Sequence, residues 1–206
     1  MTWYVLRHAA KEPGNFHNPQ LRHQDEPLSA EGRQAAQNLV AYFAHKPIAA
    51  IYVSAYQRTW QTIAAVADQL QLTPVVDERL NEIDNGLVDE MTEQEFQRAY
   101  PEVWPAYVAR TADFRFPGGE TGMEVAARIK AFMDEKRAQH AGDDILLVSH
   151  EGLIRQMMCT VLGLPVYRRG DFRVDLCGLT ELTYQAEYGR WKLLRFNQTC
   201  GAELGR

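Results

Sequence analysis

The chain has 206 residues, 46% of them hydrophobic and 24% charged, with a net charge of −5. That length can bury a core without staples, and the acidic balance offers no basic surface for nonspecific nucleic-acid binding. Cys159, Cys177 and Cys200 lack C-x-x-C spacing, so neither a zinc cage nor a disulfide framework is expected. The N-terminus does not read as a signal peptide, and no apolar run approaches the ~18 residues of a membrane span. A cytoplasmic protein with no membrane or nucleic-acid partner is the expectation; oligomeric state is not legible.

Trp3 to Leu6 reads as a strand, and Arg7-His8 follow at once. Ser29 caps a helix whose apolar positions Ala35, Ala36, Leu39, Val40 and Phe43 share a face and which stops before Pro47. Ile48 to Val53 is the next strand. Residues 55–71 then read as a helix with Trp60, Ile63, Ala64, Ala67 and Leu70 inward, and Pro74 to Val76 as a short strand. From about Leu80 to Glu120 the alternation breaks. This stretch carries Pro101, Pro105, Pro117 and the pair Gly118-Gly119, with one short helix capped by Thr92 and Glu95. Thr121 and Glu124 open a helix carrying Val125, Ile129, Phe132 and Met133 that ends near Gly142. Ile145 to Val148 is a continuous apolar strand, and a helix from about Leu153 to Leu162 stops at Gly163 and Pro165. Leu179 to Tyr184 and Trp191 to Phe196 form a hairpin.

Strand–helix alternation with continuous apolar strands predicts a mostly parallel sheet covered on both faces. The expected fold is a three-layer α/β/α sandwich with a mostly parallel central sheet, one domain over 1–206, with a lid-like insertion at about 80–120. Ligands of such sheets sit outside the carboxyl ends of strands. Arg7-His8 and Ser149-His150 each occupy such an end, and Arg58 lies one turn into the helix after a third strand. Arginine offers a planar fork matched to phosphate oxygens. A neutral histidine nitrogen can be a nucleophile, and nearby guanidinium groups keep it neutral. Phosphoryl transfer needs positioning and charge neutralisation, which two arginines and a second histidine supply without metal or cofactor. The acidic run His23-Gln24-Asp25-Glu26 reads as a solvated loop, and His17, His23, His45 and His140 are given no chemical role.

The ordered segments VLRHAAK, PLSAEGRQAAQNL, IYVSAYQRTWQTIAAVA, LNEIDNG, PGGETGMEVAARI and LLVSHEGLIRQMM resemble the histidine phosphatase superfamily, also called phosphoglycerate mutase-like. The resemblance spans nearly the whole chain. It implies that His8 is phosphorylated, that Arg7, Arg58 and His150 complete the phosphate pocket, and that Glu82 protonates the leaving oxygen. Glu82 would then act in turn as acid and base, which asks for a pKa raised by burial. The chain departs from the family where Ala9 and Ala10 follow the first motif, where Leu87-Val88-Asp89-Glu90 replaces a small-aromatic-Glu-Gly segment, and where Glu151 follows the second histidine. Ala9 places a methyl group where backbone would approach the ligand, and Glu151 adds negative charge if it points inward.

The lid, Asn81 to Thr121, carries nine acids against Arg98, Arg110 and Arg115, a balance of −6, and no lysine. The family's mutases place paired arginines and a lysine there for a second anionic group. Lid electrostatics thus favour a small phosphate monoester with a neutral or aromatic remainder. The expected activity is that of a metal-independent phosphatase working through a phosphohistidine on His8. The alternatives are a phosphoglycerate mutase and a non-catalytic phospholigand-binding member of the family.

Overall fold

The computed structural model describes residues 1–199. In chain order it runs β1 (Thr2–Arg7), α1 (Ala30–Phe43), β2 (Ile48–Val53), α2 (Gln57–Leu70), β3 (Val75–Val76), α3 (Glu93–Ala99) and α4 (Trp104–Ala109). It continues with α5 (Gly122–Gln139), β4 (Asp144–Ser149), α6 (Glu151–Leu162), β5 (Gly178–Gln185) and β6 (Arg190–Thr199). One sheet has the order β3-β2-β4-β1-β5-β6. Its first four strands are mutually parallel, and the hairpin β5–β6 adds two antiparallel strands beside β1.

Successive strand side chains point to opposite faces, and the central strands are apolar on both. Trp3, Val5, Ile145 and Leu147 pack with Ile129 and Phe132 of α5 and Leu153, Ile154 and Met157 of α6. Tyr4, Leu6, Leu146 and Val148 pack on the other side with Leu39 and Phe43 of α1 and Ile63 and Val66 of α2. This is the expected sandwich. No helix among the described residues is long and apolar enough to cross a membrane.

Local chemistry sets the helix ends. The Ser29 hydroxyl accepts from the Gly32 amide at 3.1 Å, and Thr121 and Glu124 cap α5 reciprocally. Gly163 stops α6 at φ 67°, a left-handed conformation that glycine adopts without steric cost. The buried face of α2 differs from the expectation. It is Arg58, Thr59, Thr62, Ile63, Val66 and Ala67, while Trp60 is 48% exposed. The stripe is rotated because the hydroxyls of Thr59 and Thr62 are satisfied inside, so two polar residues occupy core positions. Thr59 donates to Tyr56 O and Thr62 to Arg58 O. The lid holds a second short helix, α4, that the prolines hid. Pro105 sits at its start, where no intrahelical N–H is needed.

Candidate active site

The sheet places the predicted residues side by side. Arg7 pairs with Ser149 across β1 and β4, so His8 and His150 leave adjacent parallel strands at one level. The His8 amide donates to Ser149 O at 3.0 Å, and the two imidazole centroids are 5.1 Å apart. β2 ends at Val53 opposite Val148, and Arg58 follows in the first turn of α2. The positive charges of both Arg7 and Arg58 bear on both histidines.

His8 is 6% exposed, and its Nδ1 lies 2.8 Å from Ala9 O. A carbonyl only accepts, so Nδ1 carries the proton and Nε2 keeps its lone pair. Burial above all, with the Arg58 charge next, pushes the His8 pKa down to about 3. The ring is therefore neutral at pH 7, with the Nε2 lone pair unprotonated. His150 is fully buried, and its Nε2 lies 2.8 Å from Ser54 Oγ. Burial, then the His8 and Arg58 charges, hold its pKa well below the ordinary histidine range. Its Nδ1 is buried without a protein partner, as expected of an atom reserved for a ligand oxygen.

The two guanidinium groups are each fixed on one side. Arg7 donates from Nη1 to Val174 O at 2.6 Å, and Arg58 from Nη1 to Gln24 O at 3.0 Å. Arg58 stacks over the Tyr56 ring at 4.4 Å, and the Nε atoms of both arginines are buried without a protein partner. Glu82 approaches from the chain between β3 and α3. Its Oε1 accepts from the amides of Ile83 and Leu153, both at 2.9 Å, and its Oε2 from Gly152 at 3.1 Å. A side chain at Gly152 would place Cβ 2.7 Å from Glu82 Oε1. Glycine is what lets the carboxylate reach the first amides of α6.

Two expectations change and a third, left conditional, is answered. The run 23–26 is not a solvated loop, because Asp25 and Glu26 are buried. Glu26 Oε2 lies 3.3 Å from Arg58 Nη1 and its Oε1 2.5 Å from Lys11 Nζ, while Asp25 accepts from the Gln57 amide at 2.8 Å and opens α2. Buried guanidinium needs a counter-charge, which turns these acids inward. His23 Nδ1 meets Asp89 of the lid. Ala9, the first departure, packs its methyl with Leu28, Ala36 and Cys177, and its amide donates to Thr62 Oγ1 at 2.9 Å. Glu151 does point inward: its Oε2 is 2.8 Å from Arg7 Nη2, and its Oε1 pairs with Arg155 one turn along α6.

Beside Glu82 opens a cavity of about 250 Å³. Tyr107, Phe114 and Phe116 of the lid form apolar wall, and Arg110, Arg155 and Arg169 face it. The lid supplies only Arg110. Arg155 comes from α6 and Arg169 from the 3₁₀ turn Val166–Asp171, so a count of lid charges misses two of the three cations.

Residues 3–199 match the sequence profile of the histidine phosphatase superfamily (branch 1). The chain belongs to that superfamily. Phosphoserine phosphatase 1 of Hydrogenobacter thermophilus is 30% identical over 199 residues, 95% of this chain and 92% of the relative. A protein named as a probable phosphoglycerate mutase GpmB, from Enterobacter sp. (strain 638), is 31% identical over 188 residues, 88% of this chain and 84% of its own length. The structure of a mycobacterial glucosyl-3-phosphoglycerate phosphatase with inorganic phosphate superposes with a TM-score of 0.80 at 25% identity. It covers 97% of this chain and 98% of that one. The α-ribazole phosphatase of Shigella flexneri, at 22% identity, a TM-score of 0.80 and coverage of 98% and 100%, shares the fold.

As a histidine phosphatase superfamily member the chain carries site residues that sequence reasoning passed over. Ser54 sits behind His150, Glu26 behind Arg58, and Gly152 under Glu82. Ser54 and Gly152 lie inside the matched segments VSAYQRT and SHEGLIR, so their places carried a signal. Glu26 carried none beyond an acidic run.

Proposed function

We propose that the chain is a phosphatase that hydrolyses a small phosphate monoester through a phosphohistidine on His8. The observation that carries this reading is the His8 ring. Its proton is fixed on Nδ1 by Ala9 O, which leaves Nε2 unprotonated among two guanidinium groups. In the first step Nε2 attacks phosphorus, the P–N bond forms and the P–O ester bond breaks. Glu82 gives its proton to the departing alkoxide. Oε2, with a single amide donor, is the oxygen with room for that proton. In the second step Glu82 takes a proton from water, the oxygen attacks phosphorus, the P–N bond breaks and phosphate leaves. Arg7, Arg58 and His150 hold the equatorial oxygens, where charge spreads in the transition state. No metal is needed for that charge balance.

The similarity to the Hydrogenobacter phosphoserine phosphatase supports hydrolysis and makes phosphoserine the first substrate to try. The segment 80–120 belongs to the same single domain as a cover for the site, and the compartment is cytoplasmic. Cys159, a buried free thiol whose pKa burial raises to about 11, suits a reducing environment. The test is phosphate release from p-nitrophenyl phosphate and phosphoserine in the presence of a chelator. Release should persist with chelator, vanish in His8→Ala, and be accompanied by acid-labile phosphate on wild-type protein. Bisphosphate-primed interconversion of monophosphoglycerates in place of hydrolysis would instead establish a mutase. Phosphate binding with no phosphoenzyme from any donor would establish a non-catalytic binder.

A further inference from the structure

Arg7 and Arg155 share a defect, and one carboxylate accounts for both. Glu151, the first residue of α6, lies between them. Its Oε2 is 2.8 Å from Arg7 Nη2, and its Oε1 pairs with Arg155 Nη2. The Nε–H and an Nη2–H of a guanidinium point the same way, and together they grip two oxygens of a carboxylate or phosphate. Glu151 takes only the Nη2 half of that edge on each arginine. The Nε atoms of Arg7 and Arg155 are both buried and, among the described residues, have no hydrogen-bond partner. A buried donor left unpaired is costly, and here the same bridging contact leaves two.

A single motion satisfies both. If the carboxylate leaves Arg7 and lays both oxygens on Nε and Nη2 of Arg155, that arginine is completed by its neighbour one turn back on α6. The same motion frees the Nε–Nη2 edge of Arg7 for two oxygens of a phosphoryl group. Arg7 itself stays in place, because its Nη1 donates to Val174 O at 2.6 Å. The carboxylate has room to move. Glu151 and Arg155 both line the cavity beside Glu82, and the Glu151 side chain is 29% exposed.

We propose that Glu151 is a resident competitor for the phosphate pocket: it moves from Arg7 onto Arg155 when a phosphoryl group arrives, and returns to Arg7 as inorganic phosphate leaves. The carboxylate thereby sets the affinity for phosphate and limits inhibition by product. The proposal rests on the phosphate pocket argued above for where the anion sits; its binding half does not depend on hydrolysis.

The test is calorimetric titration with inorganic phosphate of wild type, Glu151→Gln, Arg155→Met and the double variant. Glu151→Gln keeps the length of the side chain and removes its charge. It should bind phosphate about 5- to 50-fold more tightly, the lower part of the Coulomb range for charges about 4 Å apart, because Glu151 is partly exposed. A misfolded variant would bind less, not more. Arg155→Met removes the second perch and holds Glu151 on Arg7, so it should weaken phosphate binding. That loss should be at least about 3-fold larger in wild type than in the Glu151→Gln background, whereas a mere loss of nearby positive charge acts equally in both. A crystal structure with phosphate should show both Glu151 oxygens on Arg155. In turnover, Glu151→Gln should lower the inhibition constant of phosphate by the same factor as its Kd. If no ester is hydrolysed, the titrations and the crystal still decide the proposal, and only the phosphatase reading falls. Phosphate binding that is unchanged or weaker in Glu151→Gln, equal losses from Arg155→Met in the two backgrounds, or Glu151 still on Arg7 with phosphate bound would overturn it.

Discussion

Glu26→Gln tests whether the counter-charge behind Arg58 is what makes the phosphate pocket affordable. The Glu26 and Arg58 side chains are 9% and 5% exposed, and Lys11, on the other carboxylate oxygen, is 46% exposed. Breaking a buried pair from one side costs about 3–5 kcal/mol. Here Arg58 keeps its bond to Gln24 O, the amide oxygen of glutamine still accepts, and Lys11 can turn to water, so about 2–3 kcal/mol is expected. For a domain of this size that lowers Tm by about 4–12 °C. The same substitution removes a negative charge from beside the pocket, so inorganic phosphate should bind a few-fold more tightly. Phosphate at about 100 times its Kd stabilises by about 2.7 kcal/mol, enough to bring the variant back to the stability of unliganded wild type. The assay is thermal unfolding of both proteins across a phosphate titration. Stability and phosphate affinity should move in opposite directions. An unchanged Tm, or a lower Tm with weaker phosphate binding, would refute the reasoning.

Other consequences are as specific. His8 is neutral when folded, with a pKa near 3 against about 6.5 in the unfolded chain. Protons therefore favour the unfolded state between those values, and stability falls as pH drops through 6.5. The loss is about 2 kcal/mol from His8 between pH 7 and pH 5, with His150 adding in the same direction; urea titrations at the two pH values should show it, and His8→Asn should reduce it. Glu82→Gln should lower kcat/KM, which reports the first step, by about 10²–10⁴-fold for alkyl phosphates but far less for p-nitrophenyl phosphate, because nitrophenolate leaves without a proton. Equal losses on both would remove Glu82 as the acid. Gly152→Ala, with its Cβ 2.7 Å from Glu82 Oε1, should reproduce the Glu82 selectivity pattern more weakly, by about 10-fold, with Tm measured alongside to separate displacement from misfolding.

The strands and most helix boundaries were legible because burial imposed a simple period on them. Trp3 to Leu6 and Ile145 to Val148 are apolar at every position, and that is what a strand covered on both faces requires. Thr92-Glu95 and Thr121-Glu124 announced two helix starts through the reciprocal bonds they form. The rule that ligands gather at strand carboxyl ends then drew Arg7, His8, Arg58 and His150 together. The failures share a cause. Thr59, Thr62, Asp25 and Glu26 are polar residues in buried places, and a reading that sorts residues by polarity puts them in water. What satisfies them — a carbonyl one turn back, an arginine 32 positions away — is tertiary. The cavity arginines escaped for a related reason: Arg110, Arg155 and Arg169 lie on three elements with nothing local to link them.

The position of β1 has a consequence for the order in which the protein can be made. Its hydrogen-bonding neighbours are residues 145–149 on one side and 179–183 on the other. A ribosome that releases β1 has no parallel partner to give it until residues 145–149 have also emerged. The segment must wait, its four core side chains unprotected, while α1, β2 and α2 assemble from nearby sequence. Seating of His8 beside His150 is therefore a late event in biogenesis, and nascent chains arrested before residue 145 should be unable to accept phosphate.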